Sequence, residues 1–240
     1  MEDVSRETWV YGAVPVAVSS TYPEAVPGLI VLHQLLSTDA VTWGLIGPRE
    51  VPRLWDRHIL NCAVVSELLG PDPHGGGSLA DVGSGAGLPG LVIALVRPEL
   101  RVTLIEPLAR RATFLSEAVS TLGLADRVEV IRARAEDLRG VTYRYVTARA
   151  VAPLDRLCGW ALPLVSDGGQ FLAIKGRQAA QEVEAIQASG KPIASMHIVH
   201  CGEGVVSPLT TVVVVDVTGS RTILRSDSAR TRPNRGDRRD

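Results

Sequence analysis

The pattern of apolar and polar positions divides the chain in two, and the change of rhythm falls in the loop Pro71-Asp72-Pro73-His74-Gly75-Gly76-Gly77-Ser78. Upstream, residues 1 to about 20 lack clear periodicity. Residues 23–46 suit helices, with Leu29, Leu32, Leu35 and Leu36 at roughly helical spacing. Pro48 and Pro52 interrupt them. A clearer helix is predicted from Arg53 to near Gly70. Trp55, Ile59, Cys62 and Ala63 fall at i, i+4, i+7 and i+8, one apolar stripe, while Arg53, Arg57 and Asn61 fall on another.

Downstream, short apolar runs alternate with helical ones. Strands are predicted at 79–83, 101–106, 127–133, 143–149, 168–176, around 193–201 and at 209–217. Helices are predicted at 89–96, 108–122, 153–164 and 177–188. Pro89 takes a first-turn position that proline tolerates, and Gly123 stops the second of these helices. Strand–helix alternation argues for a parallel sheet with helices on both faces. The last segment breaks the pattern. From Arg221 onward it holds seven Arg and three Asp, with almost no apolar residue after Leu224, so residues 219–240 read as a disordered tail.

Composition narrows the class. A chain of 240 residues with 45% hydrophobic residues is long enough for one large core. The formal charge of −1 means that any phosphate contact must come from local Lys and Arg clusters. Cys62, Cys158 and Cys201 are far apart, with no CxxC and no Cys/His cluster. They read as small apolar core residues, and neither a disulfide framework nor a metal site is expected. The N-terminus carries an early acidic pair and no secretory pattern, and no run of 18 apolar residues exists to span a bilayer. A cytoplasmic protein without membrane contact is the expectation.

The chemistry gathers at Asp81-Val82-Gly83-Ser84-Gly85-Ala86-Gly87-Leu88-Pro89-Gly90, between a strand and a helix. A dinucleotide fingerprint would place its third glycine at position 88, which is Leu. The observed GxGxG, with an acid two residues upstream, is the usual loop of class I methyltransferases. Their cofactor carries an amino acid and no phosphate. The loop therefore has to offer backbone at Gly83, Gly85 and Gly87, and Asp81 has to lie within reach of an ammonium. Glu106 ends the second strand, where an acid can accept both ribose hydroxyls. Ala135, Glu136 and Asp137 follow the third strand and could line an adenine pocket, although Asp137 reads equally well as a helix cap.

Four segments together resemble the RsmG (GidB) family: Arg57-His58-Ile59-Leu60-Asn61, the glycine loop at 81–90, Ala148-Arg149-Ala150-Val151-Ala152-Pro153-Leu154, and Leu172-Ala173-Ile174-Lys175-Gly176. The resemblance runs from about residue 25 to 217. It implies a Rossmann-like, mostly parallel seven-stranded α/β sheet of the class I methyltransferase type. A helical extension at 23–72 would precede a methyltransferase domain at 78–218. It implies S-adenosyl-L-methionine as cofactor and methylation at N7 of the guanine numbered 527 in 16S rRNA of the small ribosomal subunit. Cofactor contacts carried over are Gly83, Leu88, Ala135, Glu136 and Arg149, and the RHILN segment would put His58 near the RNA or the reacting centre. The chain departs from the family at Val41-Thr42-Trp43, where Asn-Leu-Thr is usual, at Asn61-Cys62, where Asp-Ser is usual, and at Arg110, where Lys is usual.

Outside the loop, Arg149 at the carboxyl end of a central strand is costly to bury unless paired or bound to a ligand. Arg149, His58 and Lys175 are the catalytic candidates, Lys175 as a phosphate contact. Arg53, Arg57, Arg110 and Arg111 read first as a solvated face. Two rivals stay open. One is a class I methyltransferase for another RNA, a protein or a small molecule; the other is an inactive RNA-binding relative.

Overall fold

The computed structural model describes residues 14–70, 77–149, 152–190 and 195–218. The expectation of a disordered Arg-rich tail lies outside them, as does most of the irregular N-terminus. Two α-helices, α1 (Val16–Thr21) and α2 (Val26–Ser37), and a short turn of helix, α3 (Asp39–Thr42), open the chain. Helix α1 was not foreseen, because six residues with only Val18 buried carry no readable period.

The single helix expected from Arg53 is a composite. A 3₁₀ segment at Pro48–Arg53 leads into a π-helix at Leu54–Leu60. A three-residue α-turn, α4 (Asn61–Ala63), follows, then a 3₁₀ end at Val64–Leu68. The predicted apolar stripe is nevertheless buried: Trp55, Ile59, Cys62 and Ala63 all face the core. The stripe reports which face packs, and it does not distinguish i→i+4 from i→i+5 winding.

Seven strands form one sheet among the described residues: β1 (Ser78–Val82), β2 (Arg101–Ile105), β3 (Val128–Ile131), β4 (Tyr143–Arg149), β5 (Val165–Lys175), β6 (Ser195–Cys201) and β7 (Thr210–Asp216). Their order is β3-β2-β1-β4-β5-β7-β6, all parallel except β7, which runs antiparallel to both neighbours. Helices α5 (Gly90–Val96), α6 (Ala109–Thr121), α7 (Leu154–Ala161) and α8 (Ala179–Ala188) connect them. Predicted and observed boundaries differ by a residue or two, except at α7, which gives way to a 3₁₀ turn at Leu162–Leu164, and at β5, which starts three residues early. Val165, ahead of Gly168 and Gly169, already pairs with Tyr143. The register then shifts before Tyr145 pairs with Gln170, so the glycines sit in a bulge.

The sheet separates two apolar clusters. Alternation along β1 sends Leu79 into one and Ala80 and Val82 into the other. The first cluster joins the N-terminal extension to the sheet: Leu29, Leu32, Leu36 and Ile59 share it with Leu79, Leu91, Leu104 and Phe114. Helix α2 packs so closely on α5 that a Cβ at Gly28 would stand 2.5 Å from a Leu95 methyl. The extension and the sheet are thus one packed body. No helix among the described residues is long and apolar enough to cross a membrane.

Candidate active site

Strand order reverses between β1 and β4, and open α/β sheets bind ligands beyond the carboxyl ends of strands at such a point. A cleft of about 660 Å³ lies there. Each central strand delivers residues to it in turn. Val82 ends β1, Gly83, Ser84 and Gly85 follow it, and Glu106 follows β2. Ala135 and Glu136 follow β3, and Arg149 closes β4. Ala86 and Leu88 complete the loop's contribution. Of the candidate residues, Gly83, Gly85, Leu88, Glu106, Ala135, Glu136 and Arg149 line the cleft together, and Asp81, Gly87, His58 and Lys175 are set back from it.

The loop is held from below. Gly83 and Ser84 donate their N–H groups to the Ile105 carbonyl at 2.8 and 3.2 Å. Glu106 is 2% exposed, and both its oxygens are engaged: Oε2 accepts the Gly85 N–H and Oε1 the Leu108 N–H, each at 3.0 Å. A carboxylate oxygen has a second lone pair, so each can still accept a hydroxyl. Arg111 stands 3.9 Å from Oε2.

Asp81 points the other way, toward α5, as strand alternation requires. It is 1% exposed; Oδ2 accepts the Gly90 N–H at 3.0 Å, and Oδ1 is buried with no hydrogen-bond partner. Burial pushes its carboxyl up to about 7, against the lowering pull of the Gly90 and Ser84 hydrogen bonds and of the Arg149 charge. Gly87 has a packing role, since a Cβ there would lie 2.3 Å from Leu91 Cδ1.

Arg149 is anchored by the RHILN segment and the Cys62 that follows it, 87 to 92 residues earlier in the chain. Its Nη2 donates to His58 Nδ1 at 2.7 Å and to the Arg57 carbonyl at 3.4 Å. Its Nη1 donates to Cys62 Sγ at 2.9 Å and to the His58 carbonyl at 3.3 Å. The expectation that Cys62 is a plain core residue is therefore incomplete, for its sulfur is a buried acceptor. His58 also meets Glu50, whose Oε2 lies 2.8 Å from Nε2. Burial pulls the imidazole below its ordinary range, and the Glu50 contact opposes that pull.

Lys175 is drawn into a different contact. Its Nζ lies 2.8 Å from Glu182 Oε2 and donates to the Ala152 carbonyl at 3.3 Å; the same Oε2 accepts the Leu154 N–H at 2.6 Å. The pair ties β5 to α8 and to the start of α7. Lys175→Ala is accordingly expected to destabilise the fold by about 2 kcal/mol, because it strips the partner from a largely buried carboxylate. Removing Glu182 as well should recover part of that loss. Urea unfolding measures both. An unshifted midpoint with lost RNA methylation would instead put Lys175 on the substrate.

Sequence reasoning missed Leu45 and Ile46, Pro107 and Leu108, and Trp160, all of which line the cleft. No local motif marks them, since they arrive through packing. Arg111, read as surface charge, also lines it, while Arg110 lies 5.9 Å over the Trp43 ring.

The family model described as rRNA small subunit methyltransferase G matches residues 27–204. A protein of Salinispora tropica named ribosomal RNA small subunit methyltransferase G is 50% identical over 218 residues, covering 85% of this chain and 86% of its own. One of the same name from Streptomyces avermitilis is 53% identical over 188 residues, covering 77% of each chain. Among solved structures, a putative S-adenosyl-L-methionine-dependent methyltransferase from Methanococcus maripaludis superposes with a TM-score of 0.55 at 11% identity, covering 83% of this chain and 96% of that one. A methyltransferase from Geobacter sulfurreducens gives 0.52 at 16% identity, covering 84% and 93%. At such identities these two structures speak for the fold alone. The model match over most of the chain, and relatives at half identity along more than three quarters of their length, decide the family: the chain belongs to the rRNA small subunit methyltransferase G family.

Proposed function

We propose that this protein transfers a methyl group from S-adenosyl-L-methionine to N7 of guanine 527 in 16S rRNA, acting on the rRNA or on the small ribosomal subunit in the cytoplasm. The observation that carries this reading is the placement of Arg149. The N-terminal extension holds a guanidinium at the wall of a cleft whose other lining is the glycine loop and Glu106.

The residues present fit the cofactor. Asp81 Oδ1 is a buried acceptor without a partner, suited to an ammonium nearby. A Cβ at Gly85 would meet only the Gly83 carbonyl, at 3.8 Å, so the space over the loop is open. Gly83 and Gly85 would hold the amino-acid end, with Asp81 acting on its charge from beneath, and Gly87 would keep the loop down on α5. Glu106 would accept the ribose hydroxyls, and Leu88, Ala135 and Glu136 would border the adenine. When bound, S-adenosyl-L-methionine supplies an electrophilic methyl group on a positively charged sulfur.

The chain's task is then positional. Guanine N7 is an acceptor on the major-groove edge with a free lone pair at neutral pH. No side chain has to remove a proton before attack. Arg149 would orient the incoming nucleotide, with His58 holding Arg149 and Lys175 tethering the start of α7. Near-attack separations of about 3 to 3.5 Å are what such positioning has to achieve. The test is a map of N7-methylguanine in 16S rRNA from cells with and without this protein. Methylation at that guanine in both would overturn the reading.

Asp81 adds a proton-linked signature. Its folded pKa, about 7, lies above the unfolded value. Its stabilising contribution is therefore complete below the unfolded carboxyl range and is lost as pH rises through about 7. A ligand ammonium favours the carboxylate, so binding near pH 6.5 should release a proton and binding at pH 8.5 should not. Calorimetry of S-adenosylhomocysteine in two buffers of different ionisation enthalpy reads this directly. Heats independent of buffer at pH 6.5 would remove Asp81 from the cofactor's reach.

A further inference from the structure

We propose that Glu50, a residue outside the cleft, positions Arg149 by fixing the tautomer of His58. The proposal rests on the reading of Arg149 as a residue that faces substrate.

The argument starts with donors and acceptors. Arginine is always protonated and offers no lone pair. Arg149 Nη2 lies 2.7 Å from His58 Nδ1. Nδ1 must therefore accept, and the imidazole proton belongs on Nε2. Nε2 lies 2.8 Å from Glu50 Oε2, an acceptor. The three residues form a directional chain: Glu50 accepts from His58, and His58 accepts from Arg149. Glu50 favours the one tautomer in which His58 can hold the guanidinium. In the other tautomer two N–H groups would face each other at 2.7 Å, and a doubly protonated ring would add charge repulsion.

Location makes this more than a surface ion pair. Exposed pairs contribute little, but the His58 side chain is only 12% exposed, so water is poorly placed to replace Glu50. Glu50 lies in the 3₁₀ segment Pro48–Arg53, one turn before the π-helix that offers the Arg57 and His58 carbonyls to the same guanidinium. Arg57 Nε stands 3.8 Å from Glu50 Oε2 and helps keep that carboxylate ionised. Glu50 is 99 residues from Arg149 in sequence, so no motif connects them.

The experiment uses the full chain with Glu50→Ala and Glu50→Gln. Glutamine keeps a carbonyl oxygen that can accept from Nε2, and alanine does not. Imidazole ¹⁵N spectra of His58 should show the Nε2–H form in the wild type and in Glu50→Gln, and a mixture of tautomers in Glu50→Ala. Single-turnover methylation of small-subunit rRNA should fall about tenfold in Glu50→Ala, with Glu50→Gln within about twofold of the wild type, in keeping with losses at residues that orient a functional group indirectly. The unfolding midpoint should stay put in both. A wild-type rate in Glu50→Ala, or an unchanged His58 tautomer there, overturns the proposal, as does a Glu50→Gln as slow as Glu50→Ala. If the wild type itself methylates no RNA, the functional reading falls, and the tautomer spectra still decide whether Glu50 controls His58.

Discussion

Replacing Arg149 by alanine is expected to slow methyl transfer about a hundredfold, comparable to losing one well-placed donor in an active site, while lowering stability by only about 1–2 kcal/mol. The asymmetry follows from what the guanidinium touches. Its acceptors are Cys62 Sγ, His58 Nδ1 and two carbonyls of the π-helix. Arg149 is half-buried at the cleft wall, so water can enter and satisfy these groups in the variant. Nothing that enters can restore a fixed, planar donor to the cleft. Arg149→Lys should rescue little, since one ammonium cannot reach His58 and Cys62 from two directions at once. Single-turnover kinetics and urea unfolding decide the matter. A variant that unfolds far more easily yet methylates normally when folded would make Arg149 a strap for the helical extension.

The second large effect separates two glycines of one motif. Gly90→Val should cost about 3 kcal/mol or more, as overpacking of a filled core does. A Cβ there would lie 2.3 Å from Leu104 Cδ2, 2.7 Å from Asp81 Oδ2 and 2.9 Å from Asp81 Cβ. Helix α5 would have to lift from the sheet, breaking the Gly90–Asp81 hydrogen bond. Gly85→Val should leave most of the fold intact and abolish binding of S-adenosylhomocysteine. Gly85 has φ of +56° and open space before it, so valine strains the loop by about 1–2 kcal/mol and projects into the cleft. Calorimetric titration and urea unfolding of the two variants should give opposite losses. Wild-type affinity in Gly85→Val would place the ligand elsewhere, and a wild-type midpoint in Gly90→Val would mean that α5 tolerates displacement.

The sequence made the sheet and the loop legible for a simple reason. Strand residues such as Leu79, Ala80 and Val82 are apolar because both faces of β1 are covered, and a Gly-rich turn between such a strand and a helix has few uses. Glu106, Ala135, Glu136 and Arg149 were readable because strand ends in a doubly wound sheet converge. What could not be read was anything made by packing between distant elements. The winding of 54–60 left no trace in the stripe. That Lys175 would pair with Glu182 was not readable, because Glu182 lies on another element. Asp81 was readable as an acid beside the loop, but its hydrogen bond to Gly90 at the start of α5 was not. Glu50 carried no signal, because its meaning depends on His58 facing Arg149.

The anchoring of Arg149 across roughly ninety residues has a consequence for the order of assembly. The glycine loop and Glu106 need only β1, β2 and the helix between them, all local in sequence. Arg149 reaches its place only after β4 has inserted beside β1 and the π-helix has docked on the same core. A chain arrested between those events would present a cofactor loop without the guanidinium that the extension holds. With Arg149 in the role proposed for it, competence to act on RNA would be reserved for molecules that have finished folding.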